Sequence, residues 1–354
     1  MIREERIHIM RLKKQDTKKL QGIAILCMFA LHLFNRIDIE DYYNLHLYIG
    51  DIPLLTKISY SFDICVPIYL FCSGYGMQKQ DELGKCSLKY RAKRIINLLI
   101  KYWFVIAITC AIGYFVGMKS QFPGTILTFL ENALLLKNSY VGALWFVQTY
   151  VILLLLWNVF QYVIKHFHWG WVSIGSLFLY VISWSILYFI QPHIKNVICG
   201  GVVNVIVLAL RSQFPFVIGI ILAKEDFVDT WNLGTKIRKN EWASWIGLCV
   251  VVIVRMFFPN MFFAPFTAFV VIFLFGTYKW DIVNKILHYF GKHSTNMWMT
   301  HMQFYAIFCP KLVFQSRNVF LIFGTLIVLT LITSYIMMSI EKIVGCFWIR
   351  KGAR

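Results

Sequence analysis

Residues 18–36 read KKLQGIAILCMFALHLFNR. The stretch opens basic at Lys18 and Lys19, turns apolar at Leu20 and places one ionisable side chain, His32, inside the oily run. On a helix, Gln21 and His32 share a face, about 20° apart in azimuth and ~16 Å apart along the axis. If hydrocarbon begins near Leu20, His32 sits close to the middle of a ~30 Å apolar core. An imidazole at that depth is costly unless it faces other helices and has a partner or a task. The bland reading is a packing histidine bonded to a neighbouring helix. The sharp one is a reactive group.

The rest of the chain sets this helix in context. Of 354 residues, 59% are hydrophobic and only 15% charged, where a soluble domain of this length carries nearer a quarter charged. Apolar runs of about twenty residues recur, and period-two alternation of useful length does not. The expected class is therefore all-α, a polytopic transmembrane helical bundle, not a barrel. Ten spans are expected, near 20–36, 58–78, 95–117, 142–164, 170–191, 203–223, 242–259, 262–279, 296–313 and 319–341. The segment 122–136 is too short and interrupted to cross, and is expected at the outer interface or as a re-entrant piece. One membrane-embedded domain is expected: a basic N-terminus over 1–19, a bundle over 20–341 and a tail over 342–354.

The formal charge of +18 suggests nucleic acid until its placement is considered. Lys and Arg alternate between the two sides of the ten-span layout, 25 on one side against 7 on the other. By the positive-inside rule both termini are cytoplasmic, and no nucleic-acid partner is implied. The first outer loop is acidic, with Asp38, Glu40, Asp41 and Asp51. Nine cysteines lie mostly in or beside apolar spans with no CxxC pair, so neither a metal site nor a disulfide framework is indicated. The basic N-terminus is followed by no small-residue cleavage site and reads as a retained first helix.

Several residues could carry chemistry. The second span holds Asp63 in its outer third, then Pro67, which should bend the helix. It ends at Ser73-Gly74-Tyr75, which alone is more often packing than chemistry. Lys89, Arg91, Lys93 and Arg94 crowd a cytoplasmic helix N-terminus, where basic groups and free amides suit phosphate, although a positive-inside anchor looks the same. Trp145 and Tyr150 near an outer boundary can be belt residues. Ser294, Trp298 and His301 fall close to one helical face, and His301 is a second intramembrane histidine. Arg211 and Arg255 are charges at membrane depth that should face the interior.

In order and spacing these pieces resemble the acyltransferase-3 family of integral-membrane acyltransferases. LQGIAILCMFALH looks like its first helix, whose signature is Arg, ten residues, then His. Ser73-Gly74-Tyr75, RAKRI, Leu144-Trp145-Phe146 and the set Ser294, Trp298, His301 are similar to its later motifs, with Trp298 in place of a tyrosine. Gln21 stands where the signature has arginine, with Lys18 and Lys19 near enough to supply a cation. The resemblance implies an O-acyltransferase of a bacterial cytoplasmic membrane, one that moves acetyl from cytoplasmic acetyl-CoA to a hydroxyl of a cell-surface or lipid-linked polysaccharide. No permanently bound cofactor is implied. His32 would be the base, with Asp63 or His301 orienting it. Arg91 and Arg94 would hold the coenzyme A phosphates, with Lys18, Gln21, Ser73, Tyr75 and Ser294 along the donor arm. Trp145, Arg211 and Arg255 would meet the acceptor. A transporter also uses intramembrane His, Asp and Arg, but no two-half symmetry of broken helices is seen. A non-catalytic membrane sensor or partner subunit is the other rival.

Overall fold

A computed structural model of the protein describes residues 12–39, 42–225, 241–275 and 280–351. The basic residues before 12, Glu40 and Asp41, most of the loop expected at 224–241, residues 276–279 and the last three residues lie outside the described residues. Among the described residues, regular structure is helical except for one short antiparallel hairpin, Tyr48–Ile49 paired with Ile52–Pro53. The helices are α1 (Lys14–Phe34), α2 (Leu54–Ser59), α3 (Cys65–Glu82), α4 (Leu88–Phe115), α5 (Ile126–Ala133), α6 (Trp145–Leu155) and α7 (Trp157–His166). They continue with α8 (Trp169–Ser185), α9 (Val197–Lys224), α10 (Glu241–Phe257), α11 (Ala264–Phe275), α12 (Asp281–Met302), α13 (Pro310–Phe314) and α14 (Val319–Lys351).

By length and composition six described helical segments can cross a membrane: Lys14–Phe34, Leu54–Glu82, Leu88–Phe115, Trp169–His193, Cys199–Lys224 and Val319–Lys342. The pair Gly142–Leu155 and Trp157–His166, bent by 50°, makes a seventh if it is one span. Two more apolar helices, Trp242–Phe257 and Met261–Phe275, are shorter. Each of the ten expected stretches therefore carries helix, though six or seven have the length and apolarity of a span. The expected ninth, 296–313, differs most. Its helix begins at Asp281, inside the expected loop 279–292, and passes at Gln303–Phe308 into a π-helical turn. The reason is amphipathicity: Ile282, Val283, Ile286, Leu287 and Phe290 recur at helical spacing while Lys285, His288 and Lys292 keep the segment polar. The segment 122–136 contains only the eight-residue α5, too short to cross.

Where a bend at Pro67 is expected, the helix changes type just before the proline while Leu54–Glu82 runs as one helical segment. Pro67 has no N–H to bond the Asp63 carbonyl four residues back, and Tyr60–Ile64 is a 3-10 turn. Asp63 thus projects from an irregular turn between α2 and α3.

Contacts divide the chain into two compact units. The first comprises Met1–Cys27, Lys57–Ile95 and Thr149–Gly291. Here α3 and α9 meet almost backbone to backbone. A Cβ on Gly74 would lie 2.0 Å from the Phe216 carbonyl oxygen, and one on Gly219 would lie 2.3 Å from that of Phe71. Small residues at reciprocal positions are how helices gain van der Waals contact where no hydrophobic drive separates lipid from protein. Ser176 and Gln213 join α8 to α9 through bonds of 2.6 and 2.7 Å. Tyr180, Trp184 and Phe214 form the buried centre there.

This packing gives a direct test. Gly74→Ala should lower the thermal midpoint in detergent, by about 1–3 kcal/mol of stability, because the added methyl meets backbone that cannot turn aside. Gly76→Ala, two residues on with nothing within 4 Å of its added carbon, should be neutral or stabilising. Equal midpoints for the two variants would remove the close-approach argument.

The second unit comprises Met28–Thr56, Ile96–Gln148 and Lys292–Arg354. The buried Asn132 at the end of α5 donates to Ser139 Oγ (2.8 Å) and accepts from the Tyr140 N–H (3.2 Å). Its carbonyl takes the Tyr102 hydroxyl from α4 at 2.5 Å. A polar seam joins α12 to α14, with His293 2.9 Å from Ser334 Oγ and Thr300 3.0 Å from Thr333. Lys101 of α4 joins it, 2.8 Å from Glu341 and 3.2 Å from Asn296 Oδ1.

Candidate active site

Within the second unit, the end of α1 and the end of α12 bring both intramembrane histidines together. The His32 and His301 rings stand 5.1 Å apart, centre to centre. Tyr305 stacks on both, 5.9 Å from His32 and 5.7 Å from His301, and Phe29 covers His301 at 5.7 Å. Tyr305 belongs to the π-helical turn that follows α12, and such widened turns recur at functional positions. The turn gives way at Cys309 to Pro310, which has no N–H to continue it.

Hydrogen bonding gives the two rings different states. His301 is fully buried, and its Nδ1 is 2.6 Å from the Trp298 carbonyl oxygen. A carbonyl can only accept, so Nδ1 carries the proton. In the neutral ring Nε2 is then a lone pair, and it meets no hydrogen-bond partner among the described residues. His32 is half-buried, and no hydrogen bond from its ring to a described residue is present. One ring is therefore fixed in tautomer and direction, while the other is free to take a ligand's proton. This pairing is what a general base with a supporting acceptor requires.

Asp63 lies in the first unit, and its carboxylate is engaged. Its Oδ2 accepts from Arg255 Nη2 at 2.5 Å, with both side chains almost wholly buried. Arg255 also donates to the carbonyls of Phe258 (2.9 Å), Asn260 (2.7 Å) and Tyr60 (3.1 Å). Two residues read from sequence as catalytic and acceptor-binding are thus one ion pair that ties the turn after α10 to the turn before α3.

A second polar group sits in the first unit where α3, α4 and α6 meet. Ser73 Oγ is 2.7 Å from the Tyr150 hydroxyl, and Arg94 Nη2 donates weakly to the same Ser73 oxygen at 3.4 Å. The Arg94 guanidinium also lies 5.7 Å from the Tyr150 ring centre. Arg91, one turn earlier on α4, is buried, and its Nε has no hydrogen-bond partner among the described residues. Both arginines fall within the first two turns of α4, where free amides and the helix dipole favour an anion. Tyr75 turns elsewhere, its hydroxyl accepting the Leu12 N–H at 3.0 Å.

Lys18 Nζ donates to Gln21 Oε1 at 2.9 Å and lies 3.4 Å from the Gly291 carbonyl. A cation therefore stands directly at position 21, although the residue there is an amide. Lys19 is instead paired with Asp16 at 2.8 Å. Ser294 is buried on α12. Trp145 is half-buried, edge-on to Phe146, and Phe146 in turn packs edge-on against Trp298.

The sequence reading passed over three residues in these clusters. Tyr150 read as a belt residue, whereas its hydroxyl holds Ser73. Tyr305 carried no signal beyond lying four residues after His301. Lys101 did carry one, since a lysine well inside the third apolar run was as anomalous as Arg211 and Arg255. Residues 20–339 match the family model described as an acyltransferase domain, that of the acyltransferase-3 family. No curated protein and no solved structure gives a match.

Proposed function

The chain belongs to the acyltransferase-3 family, is a membrane acyltransferase, and from that premise we propose that it is an O-acetyltransferase. In this reading it moves acetyl from cytoplasmic acetyl-CoA to a hydroxyl of a cell-surface or lipid-linked polysaccharide. The membrane is a bacterial cytoplasmic membrane with both termini inside, as the charge asymmetry supports. The observation that carries the reading is the His32–His301 pair, with His301 locked as the Nδ1–H tautomer by Trp298.

In the proposed reaction His32 accepts the proton of the acceptor hydroxyl as its oxygen attacks the thioester carbonyl. The C–S bond breaks, coenzyme A leaves as a thiolate, and the proton returns to that sulfur. The neutral His301 ring, 5.1 Å from His32 centre to centre with its Nε2 lone pair unengaged, offsets the transient positive charge on His32. Arg91 and Arg94 at the start of α4 hold donor phosphates, as bidentate guanidinium groups suit. Ser73, Tyr75, Lys18, Gln21 and Ser294 are the proposed contacts of the donor arm. Arg94 is already positioned by Ser73 and Tyr150, which lowers the ordering cost of binding.

The test is release of free thiol from acetyl-CoA by the purified protein, with and without a polysaccharide acceptor. A transporter or a sensor subunit releases none. Replacing Arg91 and Arg94 together by Gln should raise the donor concentration needed for half-maximal rate, since two charge-assisted contacts contribute about 2–4 kcal/mol. Unchanged donor dependence in a folded double variant would return both arginines to the role of membrane anchors.

A further inference from the structure

The first unit contains a wide-mouthed, open cavity of about 700 Å³ lined by Trp184, Tyr188, Arg211, Phe258, Asn260 and Phe263, among others. That size lies within the range of small-molecule sites. Its chemistry is one cation among flat aromatic walls. The Arg211 guanidinium stacks over the Trp184 ring at 3.9 Å, which holds the planar group in a fixed orientation. Its Nε and Nη2 are buried from solvent, yet neither has a hydrogen-bond acceptor among the described residues. Buried donors of a charged group without acceptors are expensive, so the guanidinium holds an unneutralised charge at the cavity wall, with Nη1 the nitrogen left to meet a group inside it.

Arg255 and Arg211 thereby separate into two roles. Arg255 spends its donors on Asp63 and on the carbonyls of Phe258 and Asn260. It fixes the cavity rim and has little left for a ligand. Asn260 lines the rim with its amide while its Oδ1 caps the Phe262 N–H at 2.9 Å, leaving the NH₂ end as a further donor. Tyr188 adds an exposed phenol. Flat rings for a sugar's C–H face, an amide and a phenol for its hydroxyls, and a fixed cation for an acid group describe one class of ligand.

We infer that this cavity binds an acidic sugar unit, one bearing a carboxylate or phosphate, with the acid group on Arg211 and the sugar ring against the aromatic walls. The inference rests on the acceptor-glycan reading above and names the acceptor's chemistry. A lipid phosphate headgroup would also satisfy Arg211, but offers no ring for the aromatic faces and is the competing outcome.

The experiment is calorimetric titration of the full chain in detergent, with no acetyl-CoA present, so that it does not depend on acyl transfer. The probes are a glucuronate-terminated oligosaccharide, the same oligosaccharide with its carboxyl reduced to an alcohol, a glucose-6-phosphate-terminated counterpart and glycerol phosphate. At least one acidic oligosaccharide should bind ten-fold or more tightly than the carboxyl-reduced form. Arg211→Gln should abolish that difference at an unchanged thermal midpoint, because its guanidinium makes no hydrogen bond to a described residue and only the Trp184 stacking is lost. Tyr188→Ala, at an exposed position, should weaken acidic and reduced forms by the same factor, since stacking is blind to charge. Equal binding of acidic and reduced forms, or Arg211→Gln that still distinguishes them, overturns the inference. So does glycerol phosphate that competes better than the oligosaccharides, which would assign the cavity to lipid. If the acidic sugar binds in this way while no thiol is ever released from acetyl-CoA, the cavity stands and the acetyltransferase reading fails.

Discussion

His32→Ala should lower acyl transfer 10²-fold or more while the protein still folds, the usual order for removing a general base. Folding should survive because the His32 ring makes no hydrogen bond to a described residue, so only ring contacts are lost. His32→Gln keeps a polar amide of similar reach but cannot take up a proton, and should be as inactive as Ala. His301 needs a different pair of variants because its ring is bonded at Nδ1. In His301→Asn the amide NH₂ can take the place of Nδ1–H on the Trp298 carbonyl, while the Nε2 lone pair is gone. If Nε2 supports the charged base, His301→Asn should lose nearly as much rate as His301→Ala but keep more of the thermal midpoint. If His301 only fills space and anchors Trp298, Asn should work almost normally. Rates normalised to folded protein in vesicles decide between these outcomes, and near-normal turnover in His32→Gln would make His32 a packing residue.

What could be foreseen from the sequence follows from the range of the interactions concerned. The helical class and the first helix depend on local hydrophobicity, and α1, Lys14–Phe34, covers most of the expected 20–36 but starts six residues earlier, in the polar lead-in. His32 and His301 stood out because each carries its cost on its own position. Their adjacency was not legible, since it depends on the packing of segments about 270 residues apart. The same holds for Asp63 and Arg255, separated by 192 residues. Each looked like an unpaired charge in want of a task, and each is the other's counterion. The π-helical turn that sets Tyr305 against both histidines has no propensity signature, because one extra residue per turn is imposed by tertiary contacts. At Gln21 the signal was local and legible: the position lacks a cationic residue but not a cation, which Lys18, flagged by its place one turn away, supplies.

The Asp63–Arg255 pair carries the second large expectation. Asp63→Asn removes the charge but little volume, and leaves a buried guanidinium whose Nε already lacks a described partner. Removing one member of such a pair typically costs about 3–5 kcal/mol, enough to unfold many proteins of ordinary stability. Arg255→Lys should be nearly as harmful, because one ammonium cannot reach Asp63 and the carbonyls of Phe258, Asn260 and Tyr60 together. The double replacement Asp63→Leu with Arg255→Met removes both charges, so its cost should fall well below the sum of the single costs. A catalytic role for Asp63 makes the opposite forecast, with an unaltered melting midpoint in Asp63→Asn and a collapsed rate. Thermal midpoints and transfer rates for Asp63→Asn, Arg255→Lys, the double variant and its two component single replacements separate the cases. The structure favours loss of stability, and with it loss of the cavity rim that Arg255 holds, since every oxygen Arg255 bonds belongs to one of the two turns it ties together.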